Sequence, residues 1–139
     1  MKRIEIVEAA RSYLGVRWVH EGRSRAGMDC IGLVCRVGTD LGVEYEDMKG
    51  YDRVPNGQVF VNHVKKYLTP NRSGLILPGS VGLIRQSRYP CHAGIFSEKD
   101  GETYFIHAFL PRHKVVEERF IQAPDFGLVA VLDYPNVED

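Results

Sequence analysis

The chain has 139 residues, 44% of them hydrophobic, and its 18 Lys plus Arg are balanced by 18 Asp plus Glu. That length suits one domain, and the charge balance excludes a broad nucleic-acid or anionic-membrane surface, which would need a basic excess. No stretch approaches the roughly 20 apolar residues of a membrane span.

Met1-Lys2-Arg3-Ile4-Glu5-Ile6-Val7-Glu8 places acidic residues where a signal peptide would carry its apolar core. The expectation is a protein made in the cytoplasm without a signal peptide, which stays there or leaves as part of an assembly. Three cysteines, at 30, 35 and 91, are too few and odd in number for a disulfide framework and fit a reducing compartment.

Ile6, Ala9, Ala10 and Tyr13 recur at helical spacing over residues 4–14, and Gly15 ends the run. Residues 16–28 hold no sustained period and read as a loop. Asp29 then caps a helix running to Asp40, with Ile31, Val34, Cys35 and Leu41 on one face. The segment 42–57, rich in Tyr, Asp, Gly and Pro, reads as a long irregular loop, and a third helix covers Val59 to Leu68. The period then changes. Ser80–Arg85, Cys91–Ser97, Thr103–Phe109, Lys114–Phe120 and Leu128–Tyr134 read as strands, with a hairpin turn at Glu98-Lys99-Asp100-Gly101. Helices followed by about five antiparallel strands predict one α+β domain over residues 1–139, the helix after Asp29 packed on the sheet.

Cys30, His92 and His107 are the candidate chemistry. Cys30 falls at the mouth of the capped helix, where the helix dipole and an imidazolium would draw a thiol pKa well below neutrality. Its backbone N–H lacks a helical partner and is available to an oxyanion. Strand alternation sets His92 beside Gly94, which leaves room for the helix mouth, and two histidines on adjacent strands can meet as a base and its orienter. The same residues also suit a buried core, and spacing alone leaves both readings open. Cys30, Cys35, Cys91, His92 and His107 are also zinc-ligand types. Positions 30 and 35 lie about 140° apart on a helix, and strand neighbours 91 and 92 alternate faces, which argues against a metal site.

Tyr13-Leu14-Gly15-Val16-Arg17-Trp18-Val19-His20 and Gly27-Met28-Asp29-Cys30-Ile31-Gly32-Leu33-Val34 resemble the NlpC-type cysteine peptidases. Leu77-Pro78-Gly79-Ser80-Val81, His92-Ala93-Gly94-Ile95-Phe96 and Ile106-His107-Ala108 extend the likeness in the same order, over roughly residues 5 to 110. The resemblance implies a papain-like fold and an endopeptidase cutting peptidoglycan stem peptides between D-glutamate and diaminopimelate or lysine, without cofactor or metal. It makes Cys30 the nucleophile, His92 the base and His107 the orienting residue. Trp18, His20 and Asp29 would line the cleft or support the oxyanion, with Tyr45 and Tyr51 as weaker candidates.

Three positions depart from the family pattern: Ile31 replaces a Ser tied to recognition of the stem peptide's amino end, Trp18 a Tyr, and Ser80 an Asp read as structural. Trp18-Val19-His20-Glu21-Gly22, Asp29-Cys30-Ile31-Gly32 and Tyr51-Asp52-Arg53-Val54-Pro55-Asn56-Gly57 resemble the family's bacteriophage and prophage tail branch. That implies a virion tail component with tail proteins as partners, while the charge balance and the lack of a long apolar stretch argue against nucleic-acid binding and membrane insertion. The alternatives are a non-catalytic structural or assembly protein of a tail, and a thiol amidase or acyltransferase on another substrate. His63 and His113 read as solvated.

Overall fold

The change of hydrophobic period midway along the chain is a change of architecture. The structure, a computed structural model, describes residues 1–139 except 45–46, 52–56, 72, 87–88 and 139, with the backbone alone at 57–59 and 89–90. Three helices dominate the first half: α1 (Arg3–Arg11), α2 (Cys30–Asp40) and α3 (Gly57–Val64). Between α1 and α2 a two-residue pair, β1 (Arg23–Ser24) and β2 (Gly27–Met28), forms a small hairpin in the segment read as loop. Such short strands carry too few residues to show a period of two.

The second half contributes β3 (Thr69–Pro70), β4 (Val81–Gln86), β5 (Tyr89–Lys99), β6 (Glu102–Phe109), β7 (Lys114–Arg119) and β8 (Phe126–Asp133). Among the described residues these make one antiparallel sheet in the order β3-β8-β4-β5-β6-β7, five strands as expected from sequence plus the short edge strand β3. Asp100 and Gly101, both at positive φ (52° and 77°), close the β5–β6 hairpin in two residues. That handedness matches the twist of the flanking strands. No helix among the described residues is long and apolar enough to cross a membrane.

The sheet buries both faces. Ile6, Val7 and Ala10 of α1 and Leu33, Val34 and Val37 of α2 pack with Leu83, Ala93, Ile95, Ile106 and Ala108. On the other face Ile84, Phe96 and Phe105 are covered by Phe120, Phe126, Leu128 and Val131 of the sheet's own closing segments. Gly94 serves this second cluster: a Cβ there would lie 2.5 Å from the Phe105 ring. The expectation that Gly94 makes room for the helix mouth is thereby corrected, because its missing side chain faces an aromatic ring.

The helix mouth is accommodated by Gly32 instead. A Cβ at Gly32 would sit 2.1 Å from the Gly22 carbonyl oxygen, which belongs to backbone and cannot rotate aside. For Gly32→Ala we expect overpacking to outweigh the gain in helix propensity, with a net loss of about 1–2 kcal/mol. Urea denaturation measures it, and an unchanged midpoint would show that the 19–24 segment yields freely.

Candidate active site

Asp29 stands ahead of α2 in extended conformation (φ −101°, ψ −171°), and its Oδ1 accepts the Gly32 N–H at 2.9 Å. This is the side-chain cap expected from sequence, and it satisfies one of the first turn's orphan donors. The same carboxylate accepts Arg23 Nη1 at 2.9 Å, the Glu21 N–H at 2.8 Å and the Tyr51 hydroxyl. Arg23 in turn donates to Asp47 at 3.0 Å, to the Met48 carbonyl at 3.1 Å and to the Tyr51 hydroxyl at 2.8 Å. One carboxylate and one guanidinium therefore tie the segments before and after α2 to its mouth. Arg23 has no sequence signal, being one basic residue among several in a loop.

Cys30 is the first residue of α2, 8% exposed, and lines a cleft of about 340 Å³ together with Trp18, Asp29, Tyr51, Cys91 and His92. Burial pushes its thiol up to about 12; the Asp29 charge and Cys91 act in the same direction, while the backbone N–H groups of Ala93 and Ile31 pull it back. The expected depression below neutrality is thus corrected. The helix end carries only about half a positive charge, and desolvation together with the capping carboxylate outweighs it. Burial likewise drives the His92 imidazole well below its ordinary value, with His107 adding to the effect. At neutral pH the resting pair is a thiol and a neutral imidazole.

His92 and His107 meet as the adjacent strands allow: His92 Nε2 lies 2.8 Å from His107 Nδ1, both rings buried. Paired residues of β5 and β6 run from Lys99↔Glu102 to Ile95↔Ile106, and that register carried onward sets His107 opposite Gly94, diagonal to His92. His107 also stacks on Phe109 at a centroid distance of 4.5 Å. Its Nε2 lies 2.9 Å from Oε1 of Glu118 on β7, whose Oε2 accepts Arg112 at 3.1 and 3.3 Å. The hydrogen bond from His107 holds the Glu118 carboxyl below its usual range. Glu118 escapes sequence reading because Glu117-Glu118 looks like a charged pair on a strand edge.

Cys91 and His92 both line the cleft, against simple alternation. The β4–β5 pairing steps from Ile84↔His92 to Arg85↔Pro90, leaving Cys91 without an opposite residue. A bulge of this kind re-aims side chains, so alternation does not separate 91 from 92 as the sequence argument assumed. Among the described residues no group of three or more His, Cys, Asp or Glu is arranged to hold a metal ion.

Trp18 lines the cleft and its backbone N–H donates to the His113 carbonyl at 2.8 Å. His20 lies outside the lining residues, with its ring 6.4 Å from Trp18 and edge-on to Tyr51 at 5.3 Å. Tyr51 lines the cleft, while Tyr45 and the stretch 52–56 lie outside the described residues. His113 is exposed at the cleft rim, and His63, half-buried, lines an apolar pocket between α2 and α3. Ile31 points into that same pocket with Val34, Phe60 and Leu68. Ser80 is fully buried and donates to Asp133 Oδ1 at 2.7 Å beside Arg3, a structural role.

No protein-family model matches the chain, and no curated protein matches it. Solved structures do. A Staphylococcus aureus protein described as similar to a lipoprotein of the NLP/P60 family superimposes with a TM-score of 0.67 at 17% identity, over 99% of this chain and 42% of its own. NlpC2 from Trichomonas vaginalis gives 0.64 at 20% identity, over 94% of this chain and 47% of its own. The fold is NlpC/P60-type. An N-acetylmuramoyl-L-alanine amidase from Bacteroides uniformis shares it, with a TM-score of 0.61 at 13% identity over 95% of this chain and 98% of its own. The chain spans less than half the length of the first two proteins.

The Asp29 hub generates one prediction. Asp29→Asn keeps the shape but removes the charge that faces Arg23, and we expect a loss of about 2–4 kcal/mol in chemical denaturation; a change below about 0.5 kcal/mol would show that the hub is not structural. A second concerns pH. The lowered histidines contribute stability that is full above 6.5 and lost as pH falls toward their folded values. Raised above its ordinary 9.0, Cys30 contributes stability that is full below 9.0 and lost as pH rises through about 12. Stability should therefore hold level between pH 6.5 and 9.0 and fall on either side of that window. His92→Gln should make the acid limb shallower, and an identical limb would assign that loss to carboxylates.

Proposed function

We propose that this protein is a cysteine hydrolase of the bacterial cell wall that cuts amide bonds in peptidoglycan stem peptides. The observation that carries the reading is the grouping of Cys30, at a capped helix mouth, with His92 in one cleft, and of His92 with His107 at 2.8 Å. Cys30 is the nucleophile, His92 the base and His107 its orienter.

His92 Nε2 is committed to His107, so Nδ1 is the nitrogen that serves the sulfur. With both partners neutral at rest, proton transfer accompanies attack. The Cys30 thiol proton passes to Nδ1 as sulfur bonds to the carbonyl carbon. We assign the oxyanion to the Cys30 backbone N–H and Trp18, which line the same cleft. His92 then returns the proton to the leaving amine, and water releases the acyl group from sulfur by the reverse path. Asp29 caps the helix and shapes the cleft wall through Tyr51; with its oxygens engaged, it acts on substrate through that wall.

The D-glutamyl–diaminopimelate or –lysine bond is the substrate the motif resemblance favours. The amidase among the structural neighbours makes the muramoyl–L-alanine bond the second to assay. Ile31, turned into the apolar pocket, removes a hydroxyl from recognition of the stem's amino end, so binding there relies on other groups. A tail component of a bacteriophage or prophage, made in the cytoplasm and meeting the wall from outside, is the setting we assign from the motifs around Trp18 and Tyr51. A non-catalytic tail protein is the second reading, favoured by Ile31 and by the raised thiol.

The test is incubation with muropeptides, products identified by mass spectrometry. We expect wild type to cleave, and Cys30→Ala and His92→Ala to lose about 10⁴-fold or more. Equal cleavage by Cys30→Ala would refute the proposal, and no cleavage by folded wild type would favour the non-catalytic reading.

A further inference from the structure

Beyond the three catalytic candidates, the chain of contacts continues to a charged end. His107 lies between His92 at 2.8 Å and Glu118 at 2.9 Å, and Arg112 holds the far oxygen of Glu118 through Nε at 3.3 Å and Nη2 at 3.1 Å. Resting on the hydrolase reading, we propose that Glu118 is a positioning residue that fixes the tautomers of both histidines and so decides whether His92 can act as base.

The count of donors along this chain of contacts decides the tautomers. A carboxylate only accepts hydrogen bonds, so His107 Nε2 carries the proton. In the neutral ring Nδ1 is then the acceptor, and His92 Nε2 must donate to it. The neutral His92 ring is left with a lone pair on Nδ1, the state required to take the thiol proton. Reversing the first bond reverses all of them, leaving a proton on His92 Nδ1 and no base toward Cys30. Among the described groups that line the clefts on either side of the pair, Glu118 is the one carboxylate bonded to either ring. It is partly exposed and faces, with His107 and Arg112, a second cleft of about 440 Å³ behind the histidines. The charge that sets the base therefore sits away from the cleft that holds Cys30.

Arg112 decides how a neutral side chain at position 118 would orient. In Glu118→Gln the single amide oxygen is claimed by the two Arg112 donors, which turns the amide N–H toward His107 Nε2. That nitrogen must then accept, and both tautomers invert. An Asp→Asn change that inverts a catalytic histidine directly costs about 10⁴ in rate. Through a second ring we expect at least about 10²-fold, seen in kcat with KM little changed.

The test uses the full chain. Long-range ¹H–¹⁵N NMR of wild type should show protons on His107 Nε2 and His92 Nε2. Glu118→Gln should show both moved to Nδ1 with the fold retained, and iodoacetamide should alkylate Cys30 at least tenfold more slowly at the same pH. Glu118→Asp, which keeps the charge, should retain the wild-type tautomers and react within a few-fold of wild type. Wild-type tautomers in Glu118→Gln would overturn the proposal, as would losses in Glu118→Asp equal to those in Glu118→Gln. Should wild type leave muropeptides intact while the tautomers respond as stated, the hydrolase reading fails and the role of Glu118 stands.

Discussion

The Asp29 carboxylate is the constraint on which the candidate site depends. It caps α2 at Gly32 and takes three further donors from Glu21, Arg23 and Tyr51. A buried carboxylate is tolerable only when so many donors replace its water. Because those donors come from both flanking segments, the mouth of α2 is positioned by polar bonds as well as by the apolar face of the helix. The close approach also requires Gly32 beneath the Gly22 carbonyl.

The same arrangement acts against ionisation of the thiol at Cys30. Burial of Cys30 and, after it, the Asp29 charge beside it hold the thiol protonated. His92, buried, stays neutral. A preformed thiolate–imidazolium pair is therefore not the resting state, and any activation has to come from a proton acceptor of correct tautomer lying against the sulfur. This is why the direction of the hydrogen bonds behind His92 carries more weight here than the helix dipole.

The sheet supplies that geometry by small irregularities. A bulge at Cys91 turns two successive residues into one cleft, and the β5–β6 pairing ends at Ile95↔Ile106, before the level of His92. The diagonal meeting of the histidines across this end is packed by Phe105, Phe109 and Phe126, whose rings lie 5.4–6.4 Å from His92. Aromatic packing thus fixes ring positions, while Glu118 is left to decide their protons.

The period of the apolar residues and the Asp29 cap by themselves determined α2, the five long strands and the α+β order, because those signals are local. Cys30, His92 and His107 were legible as residue types in a recognisable order. Only the tertiary structure decided the thiol's protonation, since burial and the Asp29 charge are sums over neighbours distant in sequence. It also decided the bulge at Cys91, the hub at Arg23 and the link from His107 to Glu118. Each depends on strand register or on segments meeting in space, where one residue's shift changes every partner.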